Sequence, residues 1–242
     1  MIVLSVGMPR AGSAWHYNLI HDLMQTSGCA DARDIRRQFH LESILTEANC
    51  NIGALSMRRL AMAAVPALLG NTFVIKAHAG PTPASRLLSS LGLLRITYIY
   101  RDPRDAMLSA FDYGQRALMK GRPNAFSHLK DFDESMAFIL EYVQIWEKWM
   151  HEKGVLIARY EDLLTNYDAE AARLVEYLHL DHDRSDVQEV IGQYRPEKAE
   201  SQQSVHFYKG KIGRFRQVYS AEQQKALADR FAPVLPKMGY AL

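Results

Sequence analysis

Several places in the sequence gather side chains able to hold an anion or move a proton. Gly7-Met-Pro-Arg-Ala-Gly-Ser13 spaces two glycines around a cation, ends in a hydroxyl and leads into helical sequence. A loop of that kind turns backbone N–H groups toward one point at the positive end of a helix dipole, an arrangement that cradles a phosphate or a sulfonate. Lys76-Ala-His78 places an ammonium two residues from a group that titrates near neutrality. Such a histidine can accept a proton from a hydroxyl while the lysine stabilises an anionic group in transit. Tyr100-Arg-Asp-Pro-Arg-Asp-Ala-Met-Leu-Ser109 offers Arg101 and, about two turns into the following helix, Ser109 as a pair for a second anion. The local alternative is a capped helix with Arg101 and Asp105 in an ion pair. Arg159-Tyr-Glu-Asp162 adds an aromatic ring able to reach a base.

Each of these places follows a short apolar run: residues 2–6, 72–76, 96–100 and 155–158. Helical periodicity falls between them, over 15–25, 54–69 (broken near Pro66), 103–119, 133–152, 161–179, 184–193 and 220–232. Near-continuous apolar strands alternating with helices predict an α/β fold with a mostly parallel sheet covered on both faces. Ligands of such sheets sit beyond the carboxyl ends of the strands, where the four places fall. Asp102 is the expected N-cap and Pro103 the first helical residue of the third segment. The stretch from Arg195 to Gln217 carries Arg195, Lys198, Lys209, Lys211, Arg214 and Arg216 against Glu197 and Glu200, and is expected to be a long functional loop.

The remaining signals concern packing. Met57, Met62, Leu68 and Leu69 are expected in the core, with an acceptor pocket as the lesser alternative. Trp146 and Trp149 share a helix with Ile139 and Val143 as packing residues, and His179 and His182 are expected to be exposed. Residues 111–132 are equally a lid or a surface loop.

With 242 residues, 48% of them hydrophobic and 23% charged, the chain can bury its own core as a single domain over 1–242. Cys29 and Cys50 have no C-x-x-C partner and no ligand spacing, which argues against a disulfide scaffold or a zinc site. The opening apolar run is too short for a signal peptide, and no stretch is long enough to span a membrane. A cytoplasmic protein is expected, without an integral membrane segment. Net charge is +2, from 29 basic against 27 acidic residues, which excludes a coat on a nucleic acid polymer and permits a locally basic pocket.

Taken in order, these motifs resemble the sulfotransferases that use 3′-phosphoadenosine 5′-phosphosulfate (PAPS). Pro9-Arg-Ala-Gly-Ser-Ala-Trp15 resembles the family's phosphosulfate loop P-K-S-G-T-T-W, and the segment from Arg101 to Ser109 its R-N-P-K-D-x-x-x-S. Lys76-Ala-His78 is similar to K-T-H, Tyr160-Glu-Asp162 to Y-E-D, and Tyr208-Lys-Gly-Lys-Ile-Gly213 to R-K-G-x-x-G. The resemblance implies a three-layer sandwich with a P-loop-like phosphosulfate loop, PAPS as donor, 3′-phosphoadenosine 5′-phosphate (PAP) as product, and no metal. By the same token Arg10, Ala11, Gly12, Ser13 and Ala14 form the 5′-phosphate loop, with Trp15 stacking on adenine and Tyr160 on the adenine side. Arg101, Ser109, Tyr208, Lys209 and Gly210 correspond to the 3′-phosphate site. His78 corresponds to the general base, and Lys76 and Arg10 to the cations at the transferring group. Arg10 stands where the family commonly has Lys, Ala14 removes a hydroxyl, and Tyr208 replaces an Arg that Lys211 or Arg214 could replace in function. The implied acceptor is a hydroxyl on a small molecule, glycan or lipid.

Two other functions fit parts of the pattern. A P-loop kinase for a nucleotide or small molecule would use the same glycine loop, but it needs Lys where Ser13 stands. A PAP-binding module without turnover would account for Ala14 and Tyr208.

Overall fold

In the computed structural model, residues 1–201 and 211–242 are described. The elements in chain order are β1 (Ile2–Gly7), α1 (Ser13–Thr26), α2 (Ala32–Gln38), α3 (Met57–Leu68), β2 (Phe73–Ala77), α4 (Pro83–Ser90), β3 (Leu94–Tyr100), α5 (Pro103–Met119), α6 (Phe132–Met150), β4 (Val155–Arg159), α7 (Tyr160–Thr165), α8 (Tyr167–Tyr177), α9 (Ser185–Gln193), α10 (Pro196–Ser201), α11 (Phe215–Val218) and α12 (Ala221–Phe231). They fall into two compact units. Among the described residues no helix is long and apolar enough to cross a membrane.

The first unit comprises Met1–Met8, Gly12–Tyr100 and the chain from Ile145 to Gly210. Its centre is a four-stranded sheet in the order β2-β1-β3-β4 with every pairing parallel. All residues of β1 and β2 are buried, as a sheet covered on both faces requires. Side chains alternate between the faces. Val3, Val74, Ile99 and Ala158 meet α1, α8 and α9 through Leu19, Ile20, Leu23, Leu174 and Val187. On the other face, α3 packs on β1 and α4 on β3, while Trp149 of α6 stacks on Tyr98 with ring centroids 5.9 Å apart. The three-layer α/β arrangement follows. Trp146 and Trp149 are packing residues, as expected.

The second unit comprises Pro9–Ala11, Arg101–Gln144 and Lys211–Leu242. Its helix α5 starts as the sequence predicts, with Pro103 in the first turn and Asp102 accepting from the Arg104 N–H. An aromatic cluster joins α5 to α6: Tyr113, Phe126, Phe138 and Tyr142 form successive edge or tilted contacts at 5.0–5.7 Å. Gly114 faces the Phe126 carbonyl so closely that a Cβ there would lie 2.2 Å from its oxygen. Residues 111–132 are therefore a helix and a return loop packed against it.

Several expectations need correction. The stretch 161–179 is two helices, α7 and α8, because Asn166 leaves helical geometry at φ −137°, ψ 45°. Arg195–Gln217 is not all loop, since Pro196–Ser201 and Phe215–Val218 are helical. Helices α2 and α4 arise from sequence in which none was expected. Met57, Leu68 and Leu69 are not core residues but are well exposed, the two leucines at 68% each.

Candidate active site

Within the first unit, the ends of β1 and β2 bring three of the expected groups together. β1 ends at Gly7, where a Cβ would sit 2.7 Å from both Ile99 Cγ2 and Ser13 Cβ, so only glycine lets the strand end pack against the start of α1. Gly12 is the N-cap of α1 in the left-handed region, φ 73°, and offers no side chain to the first-turn N–H groups. The first turn also lacks acidic residues. Neither the cap residue nor an acidic side chain of that turn supplies an acceptor at this positive end of the helix dipole, and Ser13 is buried at the first helical position.

His78 follows β2 and is half-buried. Its Nδ1 lies 2.6 Å from the Gly7 carbonyl oxygen. A carbonyl only accepts, so Nδ1 carries the proton and Nε2 presents the lone pair. Burial, with a smaller contribution from the nearby Lys76 charge, pushes its pKa down to about 4, partly offset by the bond to Gly7. The ring is neutral at pH 7, the state a general base needs. The segment after it is anchored by Trp149, whose Nε1–H donates to the Ala79 carbonyl at 3.1 Å.

Lys76 is buried in β2 and is the register partner of Ser5 in β1. Neighbours in register project to the same face, so both point toward α1. There Ser5 Oγ lies 3.4 Å from Nδ1 of His16, which is itself fully buried. Burial, and then the Lys76 charge, lower the His16 pKa to about 3. His16 is the residue that motif reading misses. Its signal is periodic: His16, Leu19, Ile20 and Leu23 repeat at helical spacing, which places an imidazole in a core stripe.

Trp15 and Tyr160, expected near adenine, are both almost entirely buried. Trp15 stacks on Tyr167 at 6.1 Å and donates its Nε1–H to the Tyr194 carbonyl. Tyr160 meets Trp15 edge-on at 6.3 Å and covers Gly12, whose missing Cβ would lie 2.5 Å from Tyr160 Cδ2. The loop is seated on these two rings. Ala14 is half-buried beside them in sequence.

Within the second unit, Arg10 and Ser109 are brought together: Arg10 Nε donates to Ser109 Oγ at 3.3 Å, and the guanidinium lies 4.3 Å from the centre of the Tyr113 ring. Arg10 adopts a positive φ of 65°, uncommon for a side-chain-bearing residue, and Ala11 beside it is fully buried. Arg101 is buried, donating to Asp105 at 3.4 Å and to the Lys211 carbonyl at 2.9 Å. Asp105 does more than the expected ion pair, because it also accepts the N–H groups of Gly213 and Phe215 at 2.6 and 3.0 Å. Arg214 forms an ion pair with Asp112 at 2.8 Å. Tyr208, Lys209 and Gly210 lie outside the described residues.

Comparison with known proteins identifies the family. The sulfotransferase domain family matches residues 2–239. Sulfotransferase 6B1 of Danio rerio is 22% identical over 243 residues, covering 95% of this chain and 76% of the relative. Among solved structures, retinol dehydratase in complex with androsterone and inactive cofactor PAP superposes with a TM-score of 0.59 at 17% identity, over 96% of this chain and 80% of the other. Mouse sulfotransferase SULT7A1 complexed with PAP gives 0.59 at 16%, over 97% and 84%. With its parallel sheet, its glycine loop and a family match over nearly its whole length, the chain belongs to the sulfotransferase domain family and is a sulfotransferase enzyme.

Proposed function

We propose that the chain moves the sulfonate group of PAPS to an acceptor hydroxyl by in-line transfer, with the two units acting as one domain over 1–242. The observation that carries this reading is the His78 ring. Its Nδ1–H is held by the Gly7 carbonyl, its Nε2 lone pair is available, and its low pKa keeps it neutral. Nε2 takes the acceptor's hydroxyl proton as the oxygen attacks sulfur. The bond from sulfur to the 5′-phosphate oxygen breaks, and that oxygen leaves with the electron pair as part of PAP.

The other roles follow from the chemistry of each group. The uncapped N-terminus of α1 and Ser13 hold the 5′-phosphate, with Ala11, Gly12 and Ala14 contributing backbone to the loop. Arg10 offers the leaving oxygen a delocalised cation that does not give up its proton. Lys76 stabilises the sulfonate in transit, which is the point of greatest charge redistribution. Arg101 and Ser109 take the 3′-phosphate, with Tyr208, Lys209 and Gly210 assigned there by the sequence resemblance. Trp15 and Tyr160 are assigned to the adenine side by the sequence resemblance. No metal is assigned a role, and two free cysteines support the cytoplasmic reading. Relatives solved with androsterone or retinol support a small-molecule acceptor, with glycan and lipid hydroxyls as other members of the same chemical class.

The test separates base from binding. His78→Ala should lower turnover with PAPS and a generic phenol by about 10²- to 10⁴-fold while leaving PAP affinity within about twofold. Near-normal turnover in that variant would remove His78 from the mechanism.

A further inference from the structure

We propose that the outer surface of α3 and α4 docks on an anionic lipid bilayer. The first observation is that α3 is apolar on both sides. Leu60, Ala63, Ala64 and Ala67 are buried against the rest of the unit, while Met57, Val65, Leu68 and Leu69 are 48–68% exposed. At about 100° per residue, Met57, Arg58, Ala61, Val65, Leu68 and Leu69 share one outward sector roughly 120° wide. Helix α4, packed beside α3, adds Leu87 and Leu91 to the exposed apolar surface. Water-facing leucines grouped on adjacent helices mark a surface that is covered in use.

The second observation identifies the cover. No acidic residue occurs between Glu47 and Asp102, while six cations do. Lys76 and Arg101 are buried, which leaves Arg58 and Arg59 on α3, Arg86 on α4 and Arg95 at the start of β3. Among these, Arg86 is paired with Glu152 at 2.6 Å. At the foot of α4, Ser89 and Gly92 border an open cleft of about 620 Å³ lined by Arg95, Glu176 and Arg173, the last paired with Glu170 at 2.7 Å. Guanidinium groups match a lipid phosphate, and leucines flanked by arginines suit the headgroup boundary of a membrane with negative surface potential. A second copy of the same face would bring together two surfaces that are both apolar and basic, with no acidic residue between Glu47 and Asp102 to complement the arginines. The C-terminal ends of α3 and α4 lead into the amino ends of β2 and β3. A bilayer meeting them leaves Gly7 and His78, at the carboxyl ends, accessible from water.

Flotation of the full chain with phosphatidylcholine vesicles, with and without about 30% phosphatidylserine, tests the proposal. Binding is expected with the anionic vesicles and should fall steeply when salt rises from 0.1 M to about 0.5 M. The double variant Leu68→Ser/Leu69→Ser and the single variant Arg58→Glu should each lower the partition coefficient by about tenfold or more. Thermal melting by circular dichroism should be unchanged within about 2 °C for these exposed sites, which separates docking from folding. Three results would overturn the proposal: no binding to anionic vesicles, equal binding to neutral ones, or a concentration-dependent dimer that Leu68→Ser/Leu69→Ser dissociates.

Discussion

Replacing Gly12 by alanine tests how the anion loop is built. Two costs add in the substitution. The residue sits at φ 73°, where an L side chain costs about 1–2 kcal/mol, and the new Cβ would lie 2.5 Å from Tyr160 Cδ2 and 2.7 Å from Cε2. The Tyr160 ring is buried and wedged against Trp15, which is in turn stacked on Tyr167, so it has little room to retreat. Overpacking of this kind costs about 1–3 kcal/mol. A total near 3 kcal/mol corresponds to a melting temperature lowered by about 6–12 °C in a chain of this size. Urea unfolding would measure the cost in two backgrounds. With wild-type Tyr160 the full penalty is expected; with Tyr160→Ala the steric part disappears and about 1–2 kcal/mol remains. A penalty below about 0.5 kcal/mol in the wild-type background, or equal penalties in both, would refute the claim that Tyr160 seats the loop.

Asp105→Ala should destabilise the chain by about 3–5 kcal/mol in urea unfolding, because it removes the carboxylate beside the buried Arg101 charge and strands two backbone donors at Gly213 and Phe215. A cost below about 1 kcal/mol would show that Asp105 does not tie this segment to α5. Because His78 titrates near pH 4 and acts as a neutral base, kcat/KM should stay flat from about pH 7 to 5 and fall only below that. An acid limb centred at the ordinary histidine value of about 6.5 would contradict its buried geometry. Stability carries the same sign. His16 and His78 have folded pKa values of about 3 and 4, below the unfolded value of 6.5, so the unfolded chain binds more protons between those limits. Their contribution is complete above pH 6.5 and is lost as pH falls toward 4, by up to about 1.4 kcal/mol per pH unit for each. Unfolding midpoints that do not fall between pH 6.5 and 4.5 would count against both burials.

The strands were legible to within one or two residues because a sheet buried on both faces demands unbroken apolar runs, and nothing else in the chain supplies them in that rhythm. Helix α5 was legible from Asp102 and Pro103, whose cap and first-turn roles are local. Helix α4 was not, being eight residues rich in serine. Its start signal is a capping box in which Ser85 stands in place of the usual Glu or Gln. For the candidate site, strand-end position carried most of the information: His78 and Arg101 do follow β2 and β3, and Lys76 lies near the end of β2. What sequence did not supply were partners distant along the chain: Gly7 for His78, Ser109 for Arg10, and Gly213 and Phe215 for Asp105. The exposed leucines of α3 were misread as core because helical periodicity reports an apolar face without saying what covers it.

The account rests most directly on nucleotide binding. Isothermal titration of the full chain with PAP in magnesium-free buffer should give a one-to-one complex with a dissociation constant in or below the micromolar range, about −8 kcal/mol, weakened by added salt. No detectable heat at millimolar PAP, or binding only to ATP with magnesium, would contradict the assignment of PAPS as donor.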